Sequence, residues 1–286
     1  MTERAKPLCG VLLIDKPETW TSHDVVAKLR GRLGERRIGH GGTLDPLATG
    51  LLVVLVGKAA RLMDLLPGTK RYEADLRFGF TSDTLDITGA VEATGGVLPS
   101  PAAVRAALEP FRGDIMQVPP MMSALSQNGV RLYKLARQGI EVERQARPVT
   151  VSSLEARQTG EDEYTLSLTC SGGTYVRSII DDLGRALGCG AVMTALRRTG
   201  SGPYTLENAH TLETACAEAL LPIETALPDI PRLTPEPGDM VKLYQGKALV
   251  AREADGLCWL RRGMGETAAL GRVSGGELKL FKNFEG

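Results

Sequence analysis

The chain has 286 residues, of which 43% are apolar, so it can bury a substantial core and a disordered chain is excluded. Lysine plus arginine and aspartate plus glutamate each total 34, so any nucleic-acid-binding surface must be local. No apolar run approaches the roughly 20 residues of a membrane-spanning helix. The N-terminus lacks the apolar stretch of a secretion signal, and we therefore expect a cytoplasmic protein.

Cysteine and histidine are too few and too scattered to indicate a metal centre or a disulfide framework. Five cysteines occur without any Cys-x-x-Cys pair, and His23, His40 and His210 have no metal-ligand spacing. We therefore predict reduced thiols, no metal and no cofactor.

The first elements are a short apolar strand and a basic helix. Residues 10–15 predict a strand that ends before Pro17, because proline cannot continue a central ladder. A helix follows, with Ser22 as its expected N-cap. Residues 28–37 hold five cationic residues against one glutamate. This cluster suits either a solvated helix face or contact with phosphates.

The middle of the chain combines strands with two helices. Apolar residues alternate in 72–78 and in 164–170, which predicts two half-buried strands. Pro-Ser-Pro at 99–101 opens one helix, and a second helix follows a glycine turn and closes at Gly188. Residues 119–147 are irregular and basic, and we interpret them as a long insertion.

The last part of the chain differs from the rest in composition and in the length of its predicted elements. A further helical stretch is predicted at about 212–221, and prolines from Leu227 onward form a linker-like stretch. Short strand candidates then follow between glycines, at 240–244, 257–260 and 277–281. We interpret the region from about 232 as a small β-rich appendage. Strands and helices without strict βαβ alternation predict the α+β class.

Asp45, in a glycine-rich loop at 39–50, is the strongest candidate for a functional carboxylate. Pro46 disfavours helical backbone at Asp45, so the carboxylate projects from a stiff loop edge. The glycines let backbone or ligand approach closely. The alternative is an Asx-type turn before a buried strand. The loop matches neither the P-loop nor the dinucleotide-binding glycine motif.

A second candidate segment is 172–177, where a glycine turn enters a helix and forms a plausible anion site. Arg177 lies at the edge of the buried stripe of that helix, from which it can reach an interior carboxylate. A pair with Asp45 would keep the carboxylate ionised. A buried structural ion pair is the alternative. Tyr72 lies on the apolar face of its strand, where a tyrosine is more often part of the core than catalytic.

Several segments, in the same order along the chain, resemble the TruB family of tRNA pseudouridine synthases. They extend from residue 10 to about residue 210 and comprise 10–17 (GVLLIDKP), 39–50 (GHGGTLDPLATG), 70–72, 119–124, 133–140, 147–148, 173–177 and 196–198. One departure is Gly41, where the family often has threonine.

The resemblance implies a pseudouridine synthase fold, with a central mixed, largely antiparallel sheet and flanking helices. It implies a catalytic domain at 1–230 with an RNA-gripping insertion at 119–147, and a small β-rich, PUA-like RNA-binding domain at 231–286. The implied activity is isomerisation of uridine to pseudouridine at position 55, in the TΨC loop of tRNA. The implied partner is the T-arm of tRNA.

The resemblance also assigns roles to the candidate catalytic residues. Asp45 corresponds to the nucleophile of a covalent intermediate, which divides a difficult step into two. Arg177 would hold it ionised and oriented. Tyr72 would stack on the target base or take the C5 proton, and stacking is favoured because a tyrosine pKa of about 10 makes a poor base. Whether Asp45 first attacks the base or the sugar stays open.

Five further residues are expected to bind substrate on the same grounds. His40 would stabilise the extruded nucleotide, and Leu196 would pack under the uracil. Lys16, Arg197 and Arg198 would contact the RNA backbone.

Two alternatives to the stand-alone enzyme remain at this stage. One is a non-catalytic protein that binds and refolds the T-arm as an RNA chaperone, although binding alone does not need a poised carboxylate. The other is the related synthase that works with guide RNAs. The chain lacks basic terminal extensions, and the sequence of 47–50 favours the bacterial type. We therefore expect no guide RNA, and a monomer.

Overall fold

The computed structural model describes residues 7–127, 129–263, 265 and 267–285. The prediction about the N-terminus rests on residues 1–6, which lie outside this part of the chain. The α-helices described are α1 (Ser22–Leu33), α2 (Pro101–Ala107), α3 (Leu132–Ala136), α4 (Val176–Ala186) and α5 (Pro237–Tyr244). Short 3₁₀ helices cover Gly57–Leu65, Glu109–Phe111, Leu206–Asn208, Ala217–Ala219 and Ile223–Ala226.

Strands are the most numerous secondary-structure elements of the described residues. In chain order they are β1 (Gly10–Lys16), β2 (Ile38–His40), β3 (Thr49–Val56), β4 (Lys70–Phe78), β5 (Phe80–Ser82), β6 (Val91–Ala93), β7 (Gly113–Gln117), β8 (Ser126–Gln127), β9 (Val130–Arg131), β10 (Arg147–Gln158), β11 (Glu163–Cys170), β12 (Ala191–Ser201), β13 (Tyr204–Thr205), β14 (Arg232–Leu233), β15 (Leu249–Val250), β16 (Gly256–Arg261), β17 (Thr267–Ser274) and β18 (Glu277–Asn283).

The central sheet of the described residues has nine strands. Its main path runs β1-β3-β12-β4-β11-β10-β7, with β2 paired to β3 and β13 paired to β12. Neighbouring strands are antiparallel except β3 and β12, which are parallel. The predicted α+β class with a mixed, largely antiparallel sheet is therefore confirmed.

Both faces of this sheet are covered, which explains the continuous apolar run of β3. Seven of its eight residues are buried, as expected for a strand with no solvent face. On one face, Ile179 and Ile180 of α4 pack in a cluster with Leu76 and Phe78 of β4. Helix α1 packs on the strands β1 and β3 in a second cluster. No helix in the described part of the chain is long and apolar enough to cross a membrane.

The N-cap of α1 differs from the prediction. Thr21 is the N-cap: its hydroxyl accepts a hydrogen bond from the Asp24 amide, and the Asp24 carboxylate accepts one from the Thr21 amide. Ser22 is instead the first helical residue, and its buried hydroxyl bonds both the amide and the carbonyl of Leu44. The start of α1 is thereby tied to the loop that carries Asp45.

The predicted helix at 212–221 is wrong, because the chain there pairs with the edge of the sheet. His210 forms a bridge to Ile14 and Leu221 forms one to Val11, so the segment is pinned to β1 at both ends. Among the described residues between those bridges, the only helical turn is the 3₁₀ segment Ala217–Ala219. Ladder bonds to an open sheet edge outcompete a weak local helix signal.

The C-terminal region forms a second sheet with the order β14-β16-β17-β18-β15. The strands predicted at 257–260 and 277–281 are confirmed. The strand predicted at 240–244 is wrong: it is part of α5, where Pro237 occupies the first turn and Met240 and Leu243 share the buried face.

The second sheet packs directly against the central sheet. Trp259, Leu270 and Phe284 share one buried cluster with Val11 and Leu51 of the central sheet. The Trp259 indole also donates a 2.9 Å hydrogen bond to the Leu227 carbonyl. Continuous packing of this kind fixes the orientation of the small sheet relative to the large one.

Candidate active site

A cleft of about 440 Å³ opens where β4, β12 and the loop after β2 meet the start of α4. Its lining includes Asp45, Tyr72, Arg177, Leu196 and Arg198, which are five of the eight residues proposed from the sequence. Tertiary folding thus brings together side chains from four separate segments. A concave site with converging charged and apolar groups is the usual form of a ligand pocket.

Asp45 stands at the edge of this cleft on a loop held from several sides. The Asp45 carbonyl accepts a 3.1 Å hydrogen bond from the Ala48 amide, which closes a tight turn. The Pro46 carbonyl accepts bonds from the Thr19 amide and, at 3.4 Å, from the Lys16 ammonium. The backbone is fixed, and the Asp45 side chain itself remains 41% exposed.

Arg177 enters the cleft from the first turn of α4 and is almost completely buried. Its Nη2 atom donates to the Asp45 carboxylate at 2.8 Å and to the Met122 carbonyl at 2.9 Å. Its Nη1 atom donates to the Thr84 carbonyl at 3.0 Å and lies 3.4 Å from the Asp86 carboxylate. The arginine is therefore held on both sides, and one of its partners is the exposed carboxylate.

Asp86 is a functional candidate that the sequence analysis missed. Its side chain is 5% exposed, and Oδ1 accepts hydrogen bonds from the Thr84 hydroxyl at 2.8 Å and the Thr88 amide at 3.0 Å. Leu85, between these partners, has a φ of 64°, an uncommon value for a non-glycine residue. The dense Ser/Thr/Asp pattern at 82–88 was the available signal for this loop.

Tyr72 and Leu196 contribute to the apolar surface of the cleft. Leu196 is 8% exposed and lies opposite Ala74 in the register of β12 and β4. Burial raises the pKa of the Tyr72 hydroxyl above its ordinary value, while the charge of Arg198 and a hydrogen bond from it act in the opposite direction. The raised pKa leaves less phenolate at neutral pH, so Tyr72 is less available as a base than an exposed tyrosine.

His40 ends β2, one residue before the first residue of the cleft lining. Its ring contacts His23 edge-on, with 5.7 Å between the ring centroids. Burial lowers the pKa of His40, and the nearby charges of His23 and Arg198 lower it further. Neutral imidazole is thus favoured at this position.

Lys16, Arg197 and Arg198, which are expected to contact the RNA backbone, all bond groups of the protein itself in this structure. Lys16 is completely buried, and its ammonium donates to the carbonyls of Pro17 at 2.8 Å and Trp20 at 2.7 Å. Burial also lowers its pKa to about 8. The side-chain donors of Lys16 are engaged inside the protein, and its contact with the RNA backbone stays a prediction.

The two arginines are engaged as well. Arg197 forms a two-pronged ion pair with Asp15, with distances of 3.1 and 2.7 Å. Arg198 is 1% exposed and bonds backbone carbonyls. Phosphate binding requires donors that can face the RNA. Of these three residues, Arg197 is the one with substantial exposure, at 40% of its side chain.

The insertion at 119–147 contains the β8–β9 hairpin and α3. Arg144 donates to the Pro119 carbonyl at 3.0 Å and so closes the base of the insertion. Lys134, Arg137 and Arg147 are exposed. The Met122 carbonyl links the insertion to Arg177, which places its base against the cleft. Within the described residues, no group of three or more His, Cys, Asp or Glu side chains is arranged to hold a metal ion.

The sheet topology and the cleft define a pseudouridine synthase. The fold is similar to the crystal structure of a Cbf5-Nop10-Gar1 complex, with a TM-score of 0.73, 27% identity, and coverage of 96% of this chain and 85% of that chain. It is also similar to the structure of an H/ACA RNP bound to a substrate RNA containing 2′-deoxyuridine, with a TM-score of 0.71, 26% identity and coverage of 97% and 85%.

Sequence comparison identifies the family. The profile of the TruB family pseudouridylate synthase N-terminal domain matches residues 30–176, and that of the tRNA pseudouridylate synthase B C-terminal domain matches 177–228. A tRNA pseudouridine synthase B from Opitutus terrae is 46% identical, with coverage of 80% of this chain and 99% of the relative. One from Aromatoleum aromaticum is 44% identical, with coverage of 85% and 81%. The chain belongs to the TruB family of pseudouridylate synthases, and it is an isomerase.

Proposed function

We propose that this enzyme isomerises uridine 55 in the TΨC loop of tRNA, with Asp45 as the nucleophile. The naming of the relatives as tRNA pseudouridine synthase B supports tRNA as the substrate. The observation that carries the nucleophile is the Asp45–Arg177 pair. It combines an exposed carboxylate at a cleft with a buried cation 2.8 Å away, both of whose Nη atoms are hydrogen-bonded.

The chemistry needs one carboxylate and no cofactor. Asp45 forms a covalent bond to the substrate, the glycosidic bond breaks, and the uracil rotates so that C5 rejoins the ribose. The bond to Asp45 then breaks, the hydrogen on C5 leaves as a proton and N1 takes up a proton, so that the product is an isomer of the substrate. Attack at uracil C6 and attack at ribose C1′ both lead to this loss, so release of the C5 hydrogen reports the reaction in either case.

The apolar surfaces of the cleft accept the target base. A uridine in the T-loop must leave its stack to reach Asp45, which costs a few kcal/mol. The ring of Tyr72 can stack on the extruded base, and Leu196 offers an apolar surface beneath it. Stacking of a base on an aromatic side chain contributes about 1–3 kcal/mol, which offsets much of the cost. His40, in its neutral form, would stabilise the opened loop.

Two regions would hold the rest of the tRNA. The insertion at 119–147, whose Met122 carbonyl bonds Arg177, exposes Lys134, Arg137 and Arg147. The small sheet, within the proposed domain at 231–286, packs on the proposed catalytic domain at 1–230 through a shared apolar cluster. Phosphate contacts release counterions, so tRNA affinity should fall steeply with salt concentration. An affinity that does not respond to salt would count against phosphate contacts.

We propose that the enzyme acts as a stand-alone monomer without a guide RNA. The two bacterial relatives share 44–46% of the aligned residues with this chain, whereas the Cbf5 complex shares 27%. Activity on a tRNA transcript with no other RNA present supports this proposal. Activity that appears only after addition of a guide RNA contradicts it.

The test is tritium release from a tRNA transcript labelled at uridine C5. Wild type should release tritium and Asp45→Asn should release none, because the amide is not a nucleophile of comparable strength. Asp229→Asn, at an exposed aspartate away from the cleft lining, is the matched control and should retain full activity. If wild type binds the transcript but releases no tritium, the RNA-chaperone alternative replaces this proposal.

A further inference from the structure

Arg198 is one of the largest fully buried side chains of the described residues, and it lies beside the proposed active site. We propose that Arg198 is a positioning residue for the isomerisation, which locks the Asp45 loop and the Tyr72 hydroxyl into one rigid unit. The inference rests on the proposed function, because it assigns Arg198 a role through the nucleophile and through the stacking residue.

The first link is from Arg198 to the loop that carries Asp45. Its Nη2 atom donates to the Gly42 carbonyl at 3.1 Å, and its Nη1 atom lies 3.5 Å from the Thr43 carbonyl. Its Nε atom donates to the Leu51 carbonyl at 2.7 Å. The guanidinium therefore bonds the backbone on both sides of Asp45, two to six residues away from it, and spans the whole loop.

The second link is from Arg198 to Tyr72. The two residues are register partners on the adjacent strands β12 and β4, so their side chains emerge on the same face of the sheet. The guanidinium lies near enough to the Tyr72 hydroxyl to lower the pKa of that hydroxyl through its charge and through hydrogen bonding. An irregularity between Arg198 and Gly200 follows in the register. Such bulges re-aim side chains next to active sites.

The backbone of β3 approaches the backbone of β12 closely at Arg198. Gly50 on β3 is its partner in the parallel pairing, with a φ of 97°. A Cβ atom at Gly50 would lie 2.4 Å from the Arg198 carbonyl oxygen. Only glycine fits this position. The last glycine of the 39–50 motif therefore brings the Asp45 loop against Arg198.

An arginine is needed because the partners lie in different directions. Its planar fork carries five N–H donors, whereas a lysine has one nitrogen. Lys70, a lysine in the same neighbourhood, is committed to the Ser201 hydroxyl at 2.8 Å. The other titratable groups that face Tyr72 are Cys170 from β11 and Asp45 from the loop. The Asp45 carboxylate can only accept a hydrogen bond, and burial raises the pKa of the Cys170 thiol, which is a weak donor, so Arg198 is the strong donor among these groups.

The test compares Arg198→Lys, Tyr72→Phe and the double variant. Single-turnover tritium release and tRNA dissociation constants are measured at one salt concentration, and folding is checked by thermal unfolding. Arg198→Lys should slow single-turnover release by about tenfold or more and change the dissociation constant by less than about twofold. In the Tyr72→Phe background, the same change should slow release by a clearly smaller factor, because one of the two links is already cut.

Arg157→Lys, at an exposed strand position outside the cleft lining, is the matched control and should be fully active. Unchanged release by Arg198→Lys, equal losses in rate and affinity, or strictly multiplicative effects in the double variant would overturn the proposal. If Arg198→Lys does not fold, Arg198→Gln takes its place. A fully active Tyr72→Phe would also overturn it, and this variant keeps the ring.

Asp45→Asn, measured alongside, separates this inference from the proposed function. Tritium release by Asp45→Asn contradicts the nucleophile assignment itself. An inactive Asp45→Asn together with a fully active Arg198→Lys leaves the proposed function intact and removes only the positioning role.

Discussion

The Nη2 atom of Arg177 lies 2.8 Å from Oδ2 of Asp45, a residue 132 positions away in the chain. The arginine side chain is 5% exposed and the aspartate side chain is 41% exposed. The buried partner is anchored by backbone carbonyls and by Asp86, and the exposed partner faces the cleft. The pair therefore orients the carboxylate from its buried side and leaves its other side open to the cleft.

Replacement of Arg177 by lysine should lower turnover by about 10²-fold, because misplacement of a reacting group by about 1 Å has an effect of that size. Lysine keeps the charge but cannot reach both sets of partners from one nitrogen. The dissociation constant for tRNA should change little. Steady-state tritium release and filter binding provide the two measurements. Equal losses in both would mean that Arg177 grips RNA instead.

Asp86→Asn should lower turnover by roughly tenfold while folding is retained. The amide keeps an oxygen for the Thr84 and Thr88 donors but removes the negative charge 3.4 Å from Arg177. Asp83→Asn is the matched control from the same loop: Asp83 is exposed and accepts a hydrogen bond from the Ala90 amide. If the two variants have the same activity, the charge of Asp86 has no role in holding Arg177.

Glu224→Gln should destabilise the contact between the two sheets in a pH-dependent way. Arg261, Arg232 and Thr267 all donate to the Glu224 carboxylate, and the hydrogen bond from Arg261 is the main cause that lowers its pKa from 4.5 to about 2. The folded pKa is depressed, so the stabilisation is complete above the unfolded pKa and is lost as pH falls towards the folded one. At about 1.4 kcal/mol for each tenfold change in proton affinity, it amounts to about 3 kcal/mol.

Urea unfolding of wild type and Glu224→Gln across pH measures this contribution. The difference in unfolding free energy should be constant above about pH 5 and should shrink as pH falls below 4.5. Glu277→Gln, which removes an exposed pair with Lys279 in the same small sheet, serves as the control. A difference that is independent of pH would show that lost packing, rather than the charge, causes the change.

Gly50→Ala should destabilise the protein by about 3 kcal/mol, because the new methyl group meets the Arg198 backbone in a strained conformation. Gly31→Ala provides the contrast: Gly31 lies inside α1, and a Cβ there meets nothing within 4 Å. That change should stabilise by about 0.5–1 kcal/mol. Thermal unfolding of both variants decides the question, and a tolerated Gly50→Ala would contradict the close approach of β3 to β12.

Local patterns in the sequence determined the elements whose periodicity is strong. The alternation in 72–78 and 164–170 corresponds to β4 and β11, and the apolar stripe before Gly188 corresponds to α4. Pro46 and the neighbouring glycines were enough to single out Asp45 as a candidate functional carboxylate, without any tertiary information. Binary patterning works here because one face of each element must be buried, and that requirement is written into neighbouring residues.

Tertiary structure alone decided the features that depend on distant partners. The segment at 212–221 pairs with the edge of β1 instead of forming a helix, and the Met240–Tyr244 stretch is helical because its apolar residues pack on the small sheet. Asp86 and Arg198 acquire their positions by the cleft from strand register and loop closure. Such contacts join residues far apart in the chain, and a local pattern records neither the partner nor the geometry, so only the folded chain reveals them.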